Sequence, residues 1–155
     1  MRQRLFLLGV LFVADRLLKN VIWFSLPHAL AGRWGNFFIH PVLNEDISFS
    51  IPIPNSVYSP FMIALVLVIT FLVSQAVREY REGNSHFFWW GLVVAGAVSN
   101  MLDRIQLGGV LDYIDLRIWP VFNVSDAYIS LGIIMILLHS LSRHKRQRPP
   151  KEALQ

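Results

Sequence analysis

The sequence of 155 residues has no cysteine and few charged side chains. The lack of cysteine excludes disulfides and thiolate-bound metal sites. Only 15% of the residues are charged and 54% are hydrophobic, whereas about a quarter of the residues of a soluble domain are charged. This excess of apolar side chains is too large for a soluble core of one domain, and it indicates a membrane protein.

Several catalytic and binding motifs are also missing. The sequence contains no His-Glu-x-x-His metal helix, no Gly-x-Ser-x-Gly elbow and no phosphate-binding Gly-Lys-Ser/Thr loop. Its five histidines are scattered without ligand spacing, so we expect no metal and no cofactor. No basic stripe alternates with exposed aromatic residues, which argues against a nucleic-acid partner. The net charge of +4 is more typical of the charge bias that sets membrane topology.

Four apolar stretches are long enough to cross a bilayer as helices, namely residues 5–26, 57–77, 86–105 and 123–141. The first follows two arginines, as in a secretory signal, but no small-x-small cleavage site follows and the apolar pattern resumes after Lys19. We therefore predict a single all-α membrane domain with four transmembrane helices.

Residues 27–56 have a different composition. Proline, glycine and asparagine separate short aromatic and β-branched runs at 37–39 and 47–51, which is typical of strands and turns. Irregular backbone cannot be exposed to lipid. We therefore predict a small extramembrane β-rich loop region on the outer face of the bundle.

The distribution of lysine and arginine predicts the orientation of the chain. Only Arg33 and Arg117 fall on one side of the predicted spans, and positive charge is retained in the cytoplasm. Both termini and the basic tail at 142–155 are therefore expected to be cytoplasmic. The other side collects Arg2, Arg4, Arg78, Arg81, Arg143, Lys145, Arg146, Arg148 and Lys151.

Residues 96–129 contain four aspartates between apolar runs. Ionised carboxylates near a membrane core are costly and therefore point to function. Asn123 is a plausible N-cap for the fourth span, with Asp126 in its first turn; for Asp126 alone, a capped helix start is the simpler interpretation. Alternation places Asp112 and Tyr113 on opposite sides of a strand. A solvated acid fits Asp115 better than Asp112.

Two further polar groups are predicted within the spans. Asp15 and Lys19 lie four residues apart, in the order that favours an ion pair on one helix face. Such a pair either neutralises itself inside the bundle or contacts substrate head groups. On the third span, Asn100, Asp103 and Arg104 share a face, and we expect a buried polar cluster that satisfies itself and positions other groups.

Asp112 and Asp126 are predicted to meet at the same membrane depth on the outer side. Two close carboxylates tend to share one proton, so one can accept a proton from water while the other donates to a carbonyl, as in aspartic proteases. Two alternatives remain open. A proton-coupled transporter would use Asp15, Lys19 and Asp103 as an intramembrane relay, and a non-enzymatic assembly factor would use the acids only as caps and ion pairs.

The segments SNMLDR (99–104), GGVLDYID (108–115) and FNVSDAYI (122–129) resemble the signature blocks of bacterial lipoprotein signal peptidase, also called signal peptidase II. The segments around Asp15 and Asn44 resemble further blocks in the same order. The resemblance implies that Asp112 and Asp126 form a catalytic dyad that activates water. It also implies supporting or substrate-binding roles for Asp15, Lys19, Asn44, Asn100, Asp103, Arg104 and Asn123.

The resemblance implies an enzyme of the bacterial cytoplasmic (inner) membrane with its site toward the outer face. Its substrate would be a prolipoprotein that carries diacylglycerol on a cysteine, cut just before that cysteine; membrane lipids would surround a monomer. Three residues depart from the resembled blocks. Asp46 and Ser99 stand where glycine is usual, and Ser125 stands where alanine is usual. Asp46 affects the expected shape of a substrate-facing loop.

Overall fold

The computed structural model describes residues 1–25, 32–34, 37–45 and 55–146, and these are mostly helical. The helices are α1 (Arg2–Ser25), α2 (Asn55–Arg81), α3 (Phe87–Leu107) and α4 (Val124–Arg146). The strands are β1 (Gly32–Trp34), β2 (Phe37–Asn44) and β3 (Val110–Asp115).

Helix α3 is the centre of the bundle, because α1, α2 and α4 all pack against it. Two glycines allow α3 and α4 to approach closely. A Cβ atom added at Gly96 of α3 would meet the backbone carbonyl of Ser125, and one added at Gly132 of α4 would lie 2.8 Å from the carbonyl oxygen of Trp89. Small residues at such crossings let helix backbones touch, so the start of α4 is held directly on α3.

Two of the helices are long and apolar enough to cross a membrane. These are Ser56–Arg81 in α2, with mean hydropathy 2.3, and Val124–Ser142 in α4, with mean hydropathy 1.7. Only 6% and 11% of their apolar windows are buried inside the protein, whereas a core helix of a soluble protein is mostly buried. The length, apolar composition and exposure of α2 and α4 are those expected of helices in the hydrocarbon core of a bilayer.

The strands form one antiparallel sheet in the order β1-β2-β3. The expected strand at 37–39 is confirmed as the start of β2, whereas the expected strand at 47–51 lies outside the described residues. The pairing of β2 with β3 shifts register between Ile39 and Val42. This interval contains Pro41, which has no N–H to donate to the ladder. The third strand comes from the segment that carries Asp112.

The sheet is attached to the C-terminal end of α1 by a small apolar core. Leu111 and Tyr113 of β3 pack with Ile22 of α1 in this cluster. The opposite face of β3 carries Val110 and Asp112 into a cavity. The predicted alternation is therefore confirmed from Val110 to Tyr113, whereas Ile114 packs against the same cluster as Leu111 and Tyr113.

Candidate active site

A cavity of about 500 Å³ lies between α2, α3, α4 and β3, and both Asp112 and Asp126 line it. The two carboxylates reach it from different elements, one from the buried strand β3 and one from the first turn of α4. Apolar side chains make up most of the remaining wall. They include Phe61 and Leu65 of α2, Ala97 of α3, Ile129 of α4, and Trp119, Pro120, Val121 and Phe122 of the segment that connects β3 to α4.

Asp126 is held by a reciprocal cap at the start of α4. The backbone N–H of Asp126 donates to the Asn123 side-chain oxygen (3.0 Å), and the backbone N–H of Asn123 donates to Oδ2 of Asp126 (3.1 Å). This is a capping box, and it confirms the prediction that Asn123 caps α4. The other carboxylate oxygen of Asp126 accepts a hydrogen bond from Nδ2 of Asn100 at 2.8 Å.

Asp112 is held by two side-chain amides. Nδ2 of Asn123 donates to its Oδ1 (2.7 Å), and Nδ2 of Asn44 donates to its Oδ2 (3.0 Å). Asn44 reaches Asp112 because β2 and the start of β3 approach closely at Gly109. A Cβ atom at that position would lie 2.8 Å from the Asn44 carbonyl oxygen, so the approach requires glycine. Asn123 therefore donates to both carboxylates, through its side-chain amide to Asp112 and through its backbone N–H to Asp126.

Burial controls the protonation of Asp112, because this residue is only 4% exposed. Burial raises the pKa of Asp112 to about 6, and the charge of Asp126 adds to the rise. The hydrogen bonds from Asn44 and Asn123 and the charge of Lys19 act in the opposite direction and lower this pKa. The balance keeps a proton on Asp112 at a pH where an exposed aspartate is fully ionised.

The predicted ion pair between Asp15 and Lys19 does not form. Nζ of Lys19 lies 2.6 Å from Oδ2 of Asp103 in α3, and Arg16 also pairs with Asp103. The prediction was wrong because it considered one helix in isolation, whereas both cations of α1 face the fully buried Asp103 across the helix interface. Asp15 is also buried but accepts its hydrogen bonds from serine hydroxyls of α3 and α4.

Asp103 and Arg104 of α3 are buried as expected and Asn100 is half-buried, but these residues contact other elements. Asn100 accepts a hydrogen bond from Lys19 of α1 (2.9 Å) and donates one to Asp126 of α4. Arg104 lines the cavity, with its guanidinium 5.3 Å from the centre of the Phe61 ring. The expectation of a cluster that satisfies itself within one helix face is therefore corrected: these residues connect α3 to its neighbours.

Sequence reasoning missed three polar residues of this network. Arg16 pairs with Asp103, and the hydroxyls of Ser99 and Ser125 both donate to Asp15. The two serines had a sequence signal, because both are departures from the resembled blocks. Arg16 had none beyond its place between Asp15 and Lys19.

The candidate site combines two carboxylates, side-chain amides, the Arg104 guanidinium, the Ser130 hydroxyl and apolar walls. Within the described ranges, no group of three histidine, aspartate or glutamate side chains is arranged to hold a metal ion. Two aspartates that face one cavity and differ in their hydrogen-bond donors are suited to acid–base chemistry on a water molecule.

Comparison with known proteins places the chain in a family. The family model for signal peptidase (SPase) II matches residues 7–142. The chain is 35% identical over 109 residues to a lipoprotein signal peptidase of Halothermothrix orenii, covering 70% of this chain and 73% of that protein. It is 30% identical over 152 residues to the lipoprotein signal peptidase of Nostoc punctiforme, covering 92% and 93% of the two chains.

The fold has solved counterparts. A bacterial membrane enzyme solved by the in meso method at 2.3 Å resolution superposes with a TM-score of 0.79 and 19% sequence identity, over 97% of this chain and 94% of that one. A second, solved at 1.9 Å, gives a TM-score of 0.72 with 19% identity over 91% and 94%. These likenesses concern the fold alone. The family match and the curated relatives together show that this chain belongs to the signal peptidase II family of aspartic peptidases.

Proposed function

We propose that this protein removes the signal peptide from diacylglyceryl-modified prolipoproteins and cuts just before the lipid-bearing cysteine, with Asp112 and Asp126 activating the attacking water. The observation that carries the proposal is that both carboxylates line one cavity. Among the described residues, neither forms an ion pair with a lysine, arginine or histidine.

The donors around the pair support this chemistry. Asn44, Asn100 and Asn123 hold the carboxylates with neutral amides. An amide fixes the orientation of a carboxylate but stabilises its charge less than a cation does. One aspartate can therefore remain ionised to take the proton from water while the other keeps a proton for the peptide carbonyl. The two carboxylates titrate as a coupled pair, so their apparent pKa values belong to the pair and not to either residue.

The apolar surface of α1 supports a bundle with four membrane spans. Its charged residues Asp15 and Lys19 are 1% and 2% exposed, so they are turned into the protein. The side chains that α1 turns outward are large and apolar, and a surface of this kind is normally covered by lipid or by another protein. They include Leu5, Phe6, Leu7, Val10, Val13, Leu17, Leu18, Val21 and Phe24.

The cavity is placed well for a substrate that is itself in the membrane. Its apolar wall is shared by Phe61 and Leu65 of α2 and Ile129 of α4, and both of these helices are long and apolar enough to cross a membrane. A signal-peptide helix with its lipid-modified cysteine would approach between α2 and α4 and place its scissile bond at the aspartates. The relatives that match the chain are named lipoprotein signal peptidases, which supports the same substrate class.

The alternative of an intramembrane proton relay is disfavoured by the contacts of its proposed members. Asp103 is fully buried and bound by both Lys19 and Arg16. A relay needs a series of groups that can exchange protons with one another, whereas Asp103 is enclosed between two cations of α1.

The lipid requirement is tested with purified protein and two versions of one prolipoprotein, with and without the diacylglyceryl group on the cysteine. We expect the modified precursor to be cleaved at least about a hundredfold faster, because each buried methylene contributes about 0.8 kcal/mol of binding. Mass spectrometry of the products should place the cut directly before the cysteine. Equal rates for the two precursors would contradict the proposed substrate class.

The orientation can be tested by single cysteines, since the chain has none of its own. Ile118 is 91% exposed in the segment before α4, and the Glu82 side chain is 52% exposed after α2. We expect a membrane-impermeant maleimide to label Ile118→Cys in intact spheroplasts and to label Glu82→Cys only after lysis. Labelling of Glu82→Cys alone in intact spheroplasts would reverse the proposed topology.

The pH profile of cleavage should be bell-shaped, because the active pair holds one proton. The pKa of Asp112 is raised to about 6, so kcat/KM should fall as the pH rises above that value. Bound substrate excludes water from the cavity and should move the alkaline limb of kcat to still higher pH. A flat profile between pH 4 and 8, measured as initial rates on the lipid-modified precursor, would contradict a shared proton.

A further inference from the structure

Asp15 is a buried acid with an unusual set of partners. It lies in the middle of α1 and is 1% exposed. Its Oδ2 accepts a hydrogen bond from the hydroxyl of Ser99 in α3 and another from the hydroxyl of Ser125 in α4, the latter at 2.7 Å. Both serines are fully buried. One carboxylate oxygen thus joins three helices through two hydroxyl protons.

The direction of the hydrogen bond between Ser99 and Asp15 is fixed by Arg16. Nη1 of Arg16 donates to both the carbonyl oxygen (3.1 Å) and the hydroxyl oxygen (3.3 Å) of Ser99. A serine hydroxyl has only one proton, and the one on Ser99 is therefore directed to Asp15. Arg16 and Lys19 both pair with Asp103. Within the described part of the chain, Asp15 has no ion pair, so the two hydroxyls are the donors that hold it.

Ser125 directly precedes Asp126 in the first turn of α4. Its hydroxyl is bound to Asp15 on α1, and its carbonyl rests on Gly96 of α3 where no Cβ would fit. The backbone that carries Asp126 is therefore fixed by Ser125 from two sides. The capping box with Asn123 orients the Asp126 carboxylate on that backbone but does not fix α4 relative to α1.

We propose that Asp15, acting through the hydroxyls of Ser99 and Ser125, is a positioning residue that sets the place of Asp126 opposite Asp112. The inference rests on the proposed function in taking Asp126 as a catalytic residue. Displacement of a catalytic group by about 1 Å costs on the order of a hundredfold in rate, so a fully buried anchor one residue away has a large effect on turnover. Ser99 and Ser125 stand where the resembled blocks carry glycine and alanine, so this pair of hydroxyl anchors is a feature of this chain.

The test compares Ser99→Ala, Ser125→Ala and the double variant in the full-length protein. Each substitution removes a hydroxyl and adds no volume. We expect Ser125→Ala to lower kcat about tenfold and the double variant to lower it about a hundredfold, with KM within about twofold of the wild type. Ser74→Ala is the matched control, because among the described residues the Ser74 hydroxyl bonds only the carbonyl of Phe71 in its own helix, away from the cavity; the kcat of this variant should not change.

A second readout separates positioning from loss of structure. The charge of Asp126 contributes to the raised pKa of Asp112, so moving Asp126 away should shift the alkaline limb of kcat/KM to lower pH in the double variant. Asp15→Asn keeps an acceptor oxygen for both hydroxyls and should retain much more activity than Asp15→Leu. All rates are expressed per folded enzyme, quantified by circular dichroism and size-exclusion chromatography in detergent.

Two results would overturn the inference. One is a double variant whose kcat per folded enzyme and alkaline limb match the wild type. The other is equal activity of Asp15→Asn and Asp15→Leu. If the wild-type enzyme cleaves the lipid-modified precursor and needs both Asp112 and Asp126, either result removes the positioning role and leaves the proposed function intact. Retention of cleavage by Asp112→Asn or Asp126→Asn would instead remove the proposed function.

Discussion

Asp112→Asn and Asp126→Asn are each expected to lower cleavage of a diacylglyceryl-modified precursor by at least about a thousandfold. Asparagine has nearly the size of aspartate, but it neither ionises nor carries an exchangeable acidic proton. Either substitution therefore removes one of the two proton-transfer roles and leaves the cavity its shape. The measurement is the initial rate of signal-peptide release by purified enzyme in detergent or lipid vesicles.

The stability of Asp112→Asn should not fall with its activity. The pKa of Asp112 is raised to about 6 by burial, so the folded state binds the Asp112 proton more tightly than the unfolded state does. The stability associated with this proton is fully present below the ordinary pKa of an aspartate and is lost as the pH rises through about 6. At pH 8 the wild type bears a buried charge, and Asp112→Asn should be at least as stable, even with one amide contact to Asn44 or Asn123 lost.

Asp115→Asn is the matched control for these two substitutions. Asp115 lies on the same strand, and its Oδ1 accepts a hydrogen bond from the backbone N–H of Arg117. It does not line the cavity, so its cleavage rate should remain within about threefold of the wild type. Normal turnover by either dyad variant, or an equal loss in Asp115→Asn, would contradict the assignment of Asp112 and Asp126.

Asp103→Asn is expected to lower the free energy of unfolding by about 3–5 kcal/mol. Asp103 is fully buried, pairs with Lys19 and Arg16, and also accepts a hydrogen bond from the backbone N–H of Leu111. Without the carboxylate, the ammonium of Lys19, which is only 2% exposed, is left as an uncompensated buried charge. The cost arises from that charge and not from the loss of attraction alone. Chemical unfolding in detergent micelles provides the measurement.

Two further variants define the cause of this destabilisation. Adding Lys19→Met to Asp103→Asn removes the uncompensated cation, and the double variant should be more stable than Asp103→Asn alone. Glu82→Gln breaks a surface pair with Arg78 whose side chains are 62% and 52% exposed, and exposed pairs of this kind contribute about 0–1 kcal/mol. If Asp103→Asn were as stable as the wild type, the ion pairs of Asp103 with Arg16 and Lys19 would not hold α1 on α3.

Features that depend on neighbouring residues in the chain were predictable. The apolar runs predicted helices where α1 to α4 form, and α2 and α4 are apolar enough for a bilayer. The cap at Asn123 involves residues three apart, and the alternation along β3 involves residues one apart. Such patterns need only the local geometry of a helix or a strand.

Pairing between elements was not predictable from local spacing. The order of Asp15 and Lys19 favoured an ion pair within α1, but Lys19 pairs with Asp103, which lies 84 residues along the chain. Buried charges take the partners that packing brings to them, since leaving one unpaired costs several kcal/mol. Ser125 likewise reaches Asp15 across 110 residues, and no local rule connects those positions.

The sequence by itself determined the membrane character, the helices, the cap of α4 and, through its motif blocks, the family to which the chain belongs. Only the tertiary structure decided that Asp112 and Asp126 line one cavity, that amides of three asparagines hold them, and that Asp15 is bound by two serines. The physical reason is that periodicity fixes the direction of a side chain within its own element. The neighbours of that side chain depend on how α1, α3, α4 and the sheet pack together.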